Sequence, residues 1–169
     1  MSDVYTIISG TNRPGSNTIR VASLYHQLLK NKEIDAHFLS LEGLNVATRN
    51  TSIEKVEQEM LIPAKKFIFI VPEYNGSFPG VLKSLLDNTD IQQAWWGKKA
   101  MLTGVSTGRA GNLRGMEHLT GVLHYLRMHV YYNKLPISVV NKLITIDNKI
   151  EDSATLKVIN EQLDGFIQF

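Results

Sequence analysis

Apolar residues occur along this chain in two alternating patterns. Continuous apolar runs are typical of strands that are buried on both faces of a sheet, and they occupy positions 4–8, 36–41, 67–71, 100–105 and the start of a fifth run at 130–132. Between these runs, apolar residues recur every three or four positions. This second spacing predicts helices over about 19–31, 53–61, 81–86, 112–126 and 156–167.

The alternation of strands and helices predicts an α/β fold, in which a parallel sheet lies between two layers of helices. Five strands fit a three-layer, doubly wound, flavodoxin-like sheet of order 2-1-3-4-5, whose ligand crevice lies at the switch point beside strands 1 and 3. Neither a repeat nor a linker interrupts the pattern. We therefore expect residues 1–169 to form a single domain.

Composition narrows the class of protein. With 43% apolar and 20% charged residues, the chain is typical of a globular domain with a sizeable core. No apolar run approaches the roughly 20 residues of a membrane span, and the first residues lack the pattern of a signal peptide. The chain has no cysteine, which excludes disulfides and thiolate chemistry, and its net charge of +2 is scattered rather than clustered. We expect a cytoplasmic protein that binds neither membrane nor nucleic acid.

The first predicted strand runs directly into a loop rich in glycine, hydroxyl and amide residues, the first loop (10–18). A helix that begins after such a loop presents free backbone N–H groups and the positive end of its dipole, and both favour an anion. Side-chain donors and one guanidinium add to this and suit a phosphate monoester; they belong to Thr11, Arg13, Ser16, Asn17 and Thr18. The alternative is a plain helix cap, with Ser16 or Asn17 as the capping residue.

Two further loops follow the third and fourth predicted strands and should lie at the same edge of the sheet. In the second loop (72–80), glycines allow backbone groups to approach a flat heterocycle, while Tyr74 offers a ring and Asn75 an amide. The third loop (106–112) offers backbone donors without bulk, which suits the pyrimidine side of such a ring. Together, the three loops predict a site for flavin mononucleotide (FMN).

The first and second loops also carry a resemblance to a known family. Residues 10–17, Gly-Thr-Asn-Arg-Pro-Gly-Ser-Asn, and residues 72–83, Pro-Glu-Tyr-Asn-Gly-Ser-Phe-Pro-Gly-Val-Leu-Lys, resemble the NAD(P)H-dependent FMN reductases. The resemblance covers nearly the whole chain in the same order. It implies a flavodoxin-like fold, bound FMN, and hydride transfer from NADPH or NADH through the flavin to a small acceptor such as a quinone, an azo dye, a free flavin or a metal oxyanion.

Carried over position by position, the resemblance implies three groups of cofactor-binding residues. The phosphate would be held by Thr11, Arg13, Ser16, Asn17 and Thr18. One edge of the isoalloxazine ring would be contacted by Pro72, Glu73, Tyr74, Asn75 and Gly76. The far side of the ring would be closed by Ser106, Gly108, Arg109 and Gly111.

The expected function is that of an FMN-dependent NAD(P)H oxidoreductase, a quinone reductase-like enzyme. Because the flavin itself carries the hydride chemistry, no catalytic side chain is predicted, and the five histidines lack the spacing of a metal site. Glu73 is interpreted as a solvated carboxylate, and Arg109 either as a surface residue or as a contact to a cofactor. The alternative is a non-enzymatic electron carrier or a regulatory flavoprotein. Such carriers tend to be acidic, whereas this chain has a pI of about 8.8 and an arginine in its phosphate loop.

The resemblance also implies a homodimer or a homotetramer, with residues of a neighbouring subunit near the flavin. Trp95 and Trp96 are adjacent in a short polar connection and cannot both face one core. We expect one of them to be buried and the other to anchor a subunit interface, where aromatic residues are enriched.

Overall fold

A parallel sheet forms the centre of the molecule. The computed structural model describes residues 3–147 and 149–169, and within these it contains six strands, six α-helices, a π-helical turn at Glu57–Leu61 and a 3-10 turn at Val140–Lys142. The strands are β1 (Tyr5–Ser9), β2 (Ala36–Ser40), β3 (Lys66–Pro72), β4 (Lys99–Val105), β5 (His129–Val130) and β6 (Leu135–Ile137). The helices are α1 (Asn17–Asn31), α2 (Thr51–Val56), α3 (Gly80–Asn88), α4 (Ile91–Ala94), α5 (Leu113–Tyr125) and α6 (Ser153–Gln168).

The predicted strand order is confirmed, and every pairing in the sheet is parallel. Two neighbouring short strands share the fifth position. Strand β5 pairs with the start of β4, at Lys99 and Ala100, and β6 pairs with its end, at Thr103 to Val105. The prediction of one strand at 130–132 was therefore incomplete, because the chain leaves the sheet after Val130 and returns at Leu135.

Two separate apolar cores fill the space on either side of the sheet. Successive residues of β3 point to opposite faces, so that Phe67 and Phe69 enter one core while Ile68 and Ile70 enter the other. The first core lies beneath α2, α3 and α5, and the second beneath α1 and α6. All seven residues of β3 are buried, as expected for a central strand covered on both faces.

Trp95 confirms one half of the tryptophan prediction. Its side chain is fully buried in the first core, where it packs on Phe67 and donates its indole N–H to the Thr89 hydroxyl at 2.9 Å. Trp96 is partly exposed, and the Arg127 guanidinium carbon lies 4.0 Å from its ring centre. The predicted interface role of Trp96 stays a prediction.

A buried polar cluster joins α1 and α6 to strand β4. The hydroxyl of Tyr25 on α1 donates to the side-chain oxygen of Gln162 on α6 at 2.7 Å, and Thr103 on β4 bonds to both. Burial raises the pKa of Tyr25 well above its ordinary value. These three side chains satisfy one another and so fix how α1 and α6 sit on the sheet.

Within the described ranges, each helix is too short or too polar to span a lipid bilayer. In the same part of the chain, no group of three or more His, Asp or Glu residues is arranged to hold a metal ion.

Candidate functional site

A crevice of about 290 Å³ opens at the carboxyl ends of β1, β3 and β4. This is the switch point of the sheet, where chain connections leave toward opposite faces. Eight of the predicted site residues line it: Arg13, Ser16, Asn17, Thr18, Pro72, Glu73, Tyr74 and Ser106. The structure therefore brings residues of all three loops together in one place.

Sequence reasoning missed five residues that also line the crevice: Pro14, Gly15, Val105, Thr107 and Val140. The first four adjoin predicted residues in the chain, and proximity alone was a usable signal for them. Val140 lies after β6, in a segment with no glycine or motif, and nothing in the sequence indicated it.

The start of α1 forms one end of the crevice. Gly10 begins the first loop against β3, where its N–H donates to the Ile70 carbonyl at 2.8 Å and an added Cβ would lie 3.1 Å from that same oxygen. Gly15 then turns the chain with a φ of +59°, a conformation that glycine adopts without strain. The Ser16 hydroxyl accepts the N–H of Ile19 at 3.2 Å and so caps the helix.

The cap and the anion site are compatible rather than alternative interpretations. A helix start leaves several N–H groups without an intrahelical acceptor, and Ser16 satisfies that of Ile19. Asn17 and Thr18, the first two helical residues, line the crevice. Arg13 is exposed beside them, so a positive side chain and the positive end of the helix dipole face the same space. This set of donors fits a phosphate monoester.

Thr11 occupies a different place from the other residues of its loop. Its side chain is 2% exposed and does not line the crevice. The Thr11 hydroxyl oxygen instead lies 2.6 Å from the Tyr74 hydroxyl and accepts the backbone N–H of Arg13 at 3.2 Å. Thr11 is thus bonded to both the first and the second loop.

The second loop contains a tight reversal of the chain. Tyr74 and Ser77 exchange two backbone hydrogen bonds of 2.9 and 3.1 Å, and the residues between them, Asn75 and Gly76, have φ values of +53° and +78°. Asn-Gly is the preferred pair for such a turn. The predicted residues Asn75 and Gly76 therefore shape the loop but do not line the crevice.

The third loop is attached to the chain beyond β6. The N–H of Ser106 donates to the Ile137 carbonyl, and the N–H groups of Val139 and Val140 donate back to Gly108 and Ser106, each at 3.0 Å. Val139 has a φ of +50°, which is unfavourable for a β-branched residue. These bonds hold the Val140 side of the crevice in place against that strain.

Three predicted residues of the third loop lie away from the crevice walls: Gly108, Arg109 and Gly111. Arg109 is exposed. Gly111 has a structural reason of its own, because its φ is +56° and an added Cβ would lie 2.5 Å from Pro136. Its neighbour Asn112 is fully buried and donates to the carbonyls of Val71 and Pro72, both at 2.9 Å, which fixes the end of β3 beneath the second loop.

The chain is similar in sequence to proteins of a known family. The sequence model of the family described as NADPH-dependent FMN reductase matches residues 5–141. An NAD(P)H-dependent FMN reductase of Pseudomonas aeruginosa is 31% identical over 111 residues, which cover 64% of this chain and 60% of that protein. A 2-hydroxy-1,4-benzoquinone reductase of a Burkholderia species is 31% identical over 97 residues, which cover 53% of either chain. The matched region thus spans less than two thirds of each curated relative.

A solved structure shows the same fold over the full length. The flavoenzyme NAD(P)H:(acceptor) oxidoreductase of Paracoccus denitrificans superposes with a TM-score of 0.83 at 21% sequence identity. The superposition covers 99% of this chain and 96% of that one.

Proposed function

Because this chain belongs to the family of NADPH-dependent FMN reductases, we propose that it is an FMN-dependent NAD(P)H oxidoreductase. In this proposal, a hydride passes from NADPH or NADH through bound FMN to a small acceptor of the quinone type. One observation carries the proposal. The start of α1, with Arg13 beside it, opens into the same crevice as the second and third loops.

The residues of the crevice fit FMN at both ends. Arg13, Ser16, Asn17 and Thr18 would hold the phosphate, since they combine a cation, hydroxyls and helix-start N–H groups. Pro72 and Glu73 would lie along one edge of the ring system, with Ser106 and Thr107 on the other side. The N–H of Glu73 donates to the Val105 carbonyl at 3.1 Å. This bond attaches the start of the second loop to β4 and so fixes the distance between the second and third loops.

When bound, FMN supplies the hydride-accepting and hydride-donating chemistry. The residues of this chain bind and orient it, and no side chain of the crevice is assigned a proton-transfer step. Asn75, Gly76 and Gly111 act at a distance in this proposal, because their positive φ values shape the loops that contact the cofactor. Gly108 does so through its carbonyl, which accepts the Ser106 hydroxyl and the Val139 N–H, and Arg109 is assigned no role.

The visible spectrum of the purified protein tests the proposal. We expect a yellow protein, or one that turns yellow when FMN is added, and we expect NADPH or NADH to bleach it in the absence of oxygen. A quinone should then restore the colour and support steady turnover. A protein that binds FMN but is reduced very slowly would be an electron carrier or a regulatory flavoprotein, and one that takes up no FMN contradicts the proposal altogether.

For the quaternary structure, we propose a homodimer, alone or as half of a tetramer. A largely apolar cleft of about 560 Å³ lies between α3 and α5 and is lined by Leu86, Ile91, Val122 and Tyr125, among others. Tyr125 is 81% exposed. Gly121 lies in the same cleft, in the interior of α5, with no atom within 4 Å of an added Cβ. A helical glycine costs about 1 kcal/mol relative to alanine, and a close approach by a second copy gives it a reason.

Sedimentation of the purified protein tests this interface. We expect the wild type to sediment as two or four copies of the 19.0 kDa chain, and Gly121→Arg as a smaller species. Val158→Arg is the matched control, because Val158 is an exposed apolar residue on α6, in the opposite helix layer. A wild type of one copy contradicts the proposal.

For the compartment we propose the cytoplasm, in keeping with a chain that contains no cysteine.

A further inference from the structure

Tyr74 belongs to the second loop by sequence, but its side chain contacts the first loop. Its hydroxyl lies 2.6 Å from the Thr11 hydroxyl. The guanidinium carbon of Arg13 lies 4.6 Å from the centre of the Tyr74 ring. The same Thr11 oxygen accepts the backbone N–H of Arg13. The Tyr74 side chain is therefore hydrogen-bonded to the buried Thr11 and lies beside the guanidinium of Arg13, both in the first loop.

These contacts restrict a side chain that is otherwise free. Arg13 is exposed, and an exposed arginine loses rotamer entropy whenever it is fixed on a ligand. Contact with the Tyr74 ring restrains the guanidinium before any ligand arrives, and cation–π attraction favours that placement. The Thr11 hydroxyl fixes both partners, because it is 2% exposed and bonded to each of them. Pre-organisation of this kind increases affinity for the group that the arginine binds.

We infer that Tyr74 is a positioning residue for the phosphate end of the crevice. Together with Thr11 it holds Arg13 ready for a phosphate monoester, so that the second loop sets how strongly the protein prefers a phosphorylated flavin to an unphosphorylated one. This inference rests on the proposed function and deepens it. It differs from the interpretation of Tyr74 as a wall of the isoalloxazine ring, which assigns the residue to the other end of the ligand.

The two roles make different predictions for two flavins that differ only in the phosphate. If Tyr74 acts through Arg13, its replacement weakens FMN binding and leaves riboflavin binding nearly unchanged. If the ring is a wall of the heterocycle, both flavins lose affinity by the same factor. The ratio of the two dissociation constants therefore separates positioning of the phosphate end from a general structural effect.

Titration of the flavin-free protein with FMN and with riboflavin, followed by quenching of flavin fluorescence, tests the inference. Tyr74→Phe removes the bond to Thr11, and we expect FMN affinity to fall about fivefold, the value of one ordinary hydrogen bond. Tyr74→Leu removes the ring contact as well and should lower FMN affinity at least about tenfold. Thr11→Val should behave like Tyr74→Phe, whereas Thr11→Ser keeps the hydroxyl and should restore wild-type preference. Riboflavin affinity should stay within about twofold throughout, since it makes no phosphate contact.

Inorganic phosphate gives a second readout on the same proteins. Inorganic phosphate competes for the phosphate end of the crevice. Its inhibition constant against FMN binding should therefore rise in Tyr74→Leu by the same factor as the dissociation constant of FMN. Tyr132→Leu is the matched control, because Tyr132 is 82% exposed and does not line the crevice. This substitution should leave the affinity for both flavins unchanged. Thermal unfolding of each variant shows that it is folded, and Thr11→Val and Thr11→Ser carry the test if a Tyr74 variant is not.

Equal losses for FMN and riboflavin overturn the inference, as does unchanged FMN affinity in both Tyr74 variants. In either case the proposed function stands, because the wild type still binds FMN. A wild type that binds neither flavin overturns the proposed function and this inference with it.

Discussion

The two ends of the sheet differ in whether the helix ends beside them are bonded to charged side chains of the chain itself. At the amino end, ammonium groups of the chain itself bind the last carbonyls of the helical segments. Lys66, the first residue of β3, donates to the carbonyls of Phe166 and Ile167 in α6 at 3.2 and 2.9 Å. Lys98 donates to the carbonyls of Leu61 and Ile62, at the end of the π-helical turn 57–61, at 2.7 and 2.9 Å.

At the carboxyl end, the start of α1 faces a crevice and not a partner side chain. Its residues Asn17 and Thr18 line open space, and Arg13 adds a positive charge beside them. The negative ends of α6 and of the π-helical turn are thus bonded to lysines within the fold, whereas the positive end of α1 is left for a ligand. A substitution at the amino end of the sheet should therefore alter stability, and one at the carboxyl end should alter ligand binding.

The largest expected effect is on binding at the carboxyl end. Arg13→Ala combined with Ser16→Ala removes the cation and one hydroxyl of the proposed phosphate site. We expect FMN affinity to fall about 10- to 100-fold, because a charge-assisted bond to phosphate contributes about 1.5–3 kcal/mol. Fluorescence titration of the flavin-free protein measures it.

The same double variant has a limited effect on folding. Loss of the Ser16 cap should lower the free energy of unfolding by about 1 kcal/mol. Riboflavin serves as the control ligand and should bind as it does to the wild type. If FMN affinity is unchanged, the phosphate has been assigned to the wrong end of the crevice.

The next effect is on stability at the amino end. Lys66→Met keeps the length of a buried side chain but removes the donor to two helix-end carbonyls. We expect the free energy of unfolding in urea to fall by about 2 kcal/mol, because acceptors are left without their donor. FMN affinity should not change. Lys65→Met, at the exposed neighbouring position, is the matched control.

The Lys66→Met experiment also compares two opposing contributions of Lys66 to the free energy of unfolding, the cost of burying its charge and the gain from its two hydrogen bonds. Burial lowers the pKa of the Lys66 ammonium, so the fold bears a cost for keeping that charge away from water. An unchanged or increased stability of Lys66→Met would mean that this cost exceeds the value of the two hydrogen bonds. The proposed stabilising role of the lysine would then be wrong.

The architecture and the crevice were predictable from the sequence because each depends on short-range patterns. Buried runs such as 67–71 show the strands, and strand order places the first, second and third loops at one edge. The charged core residues were not predictable. Lys66 and Lys98 look like solvated residues at the start of a strand, and only the tertiary position of α6 and the π-helical turn gives them buried acceptors.

The less local parts of the site were also missed, for the same reason. Val140 reaches the crevice because the chain leaves the sheet after β5 and returns in β6, and no periodic signal marks that departure. Tyr74 and Thr11 are 63 residues apart, so their hydrogen bond depends on the pairing of β1 with β3. Residue type alone indicated a ring and a hydroxyl, but not that each would hold the other.

The smallest expected effect is a pH dependence of stability that originates at Lys98. Burial lowers the pKa of Lys98 to about 8, and the charge of Lys65 contributes to the shift, whereas a lysine in the unfolded chain has a pKa near 10.4. Between these values the unfolded chain binds more protons than the folded one, so the stability of the fold rises with pH. We expect a gain of about 1 kcal/mol in the free energy of unfolding from pH 7 to about pH 8.7, measured in urea. Lys98→Met should lose this slope, and Lys65→Met should show a smaller one, because the charge of Lys65 contributes to the shift. A wild type that loses stability over the same interval would show that the two carbonyls hold the Lys98 proton more firmly than burial releases it.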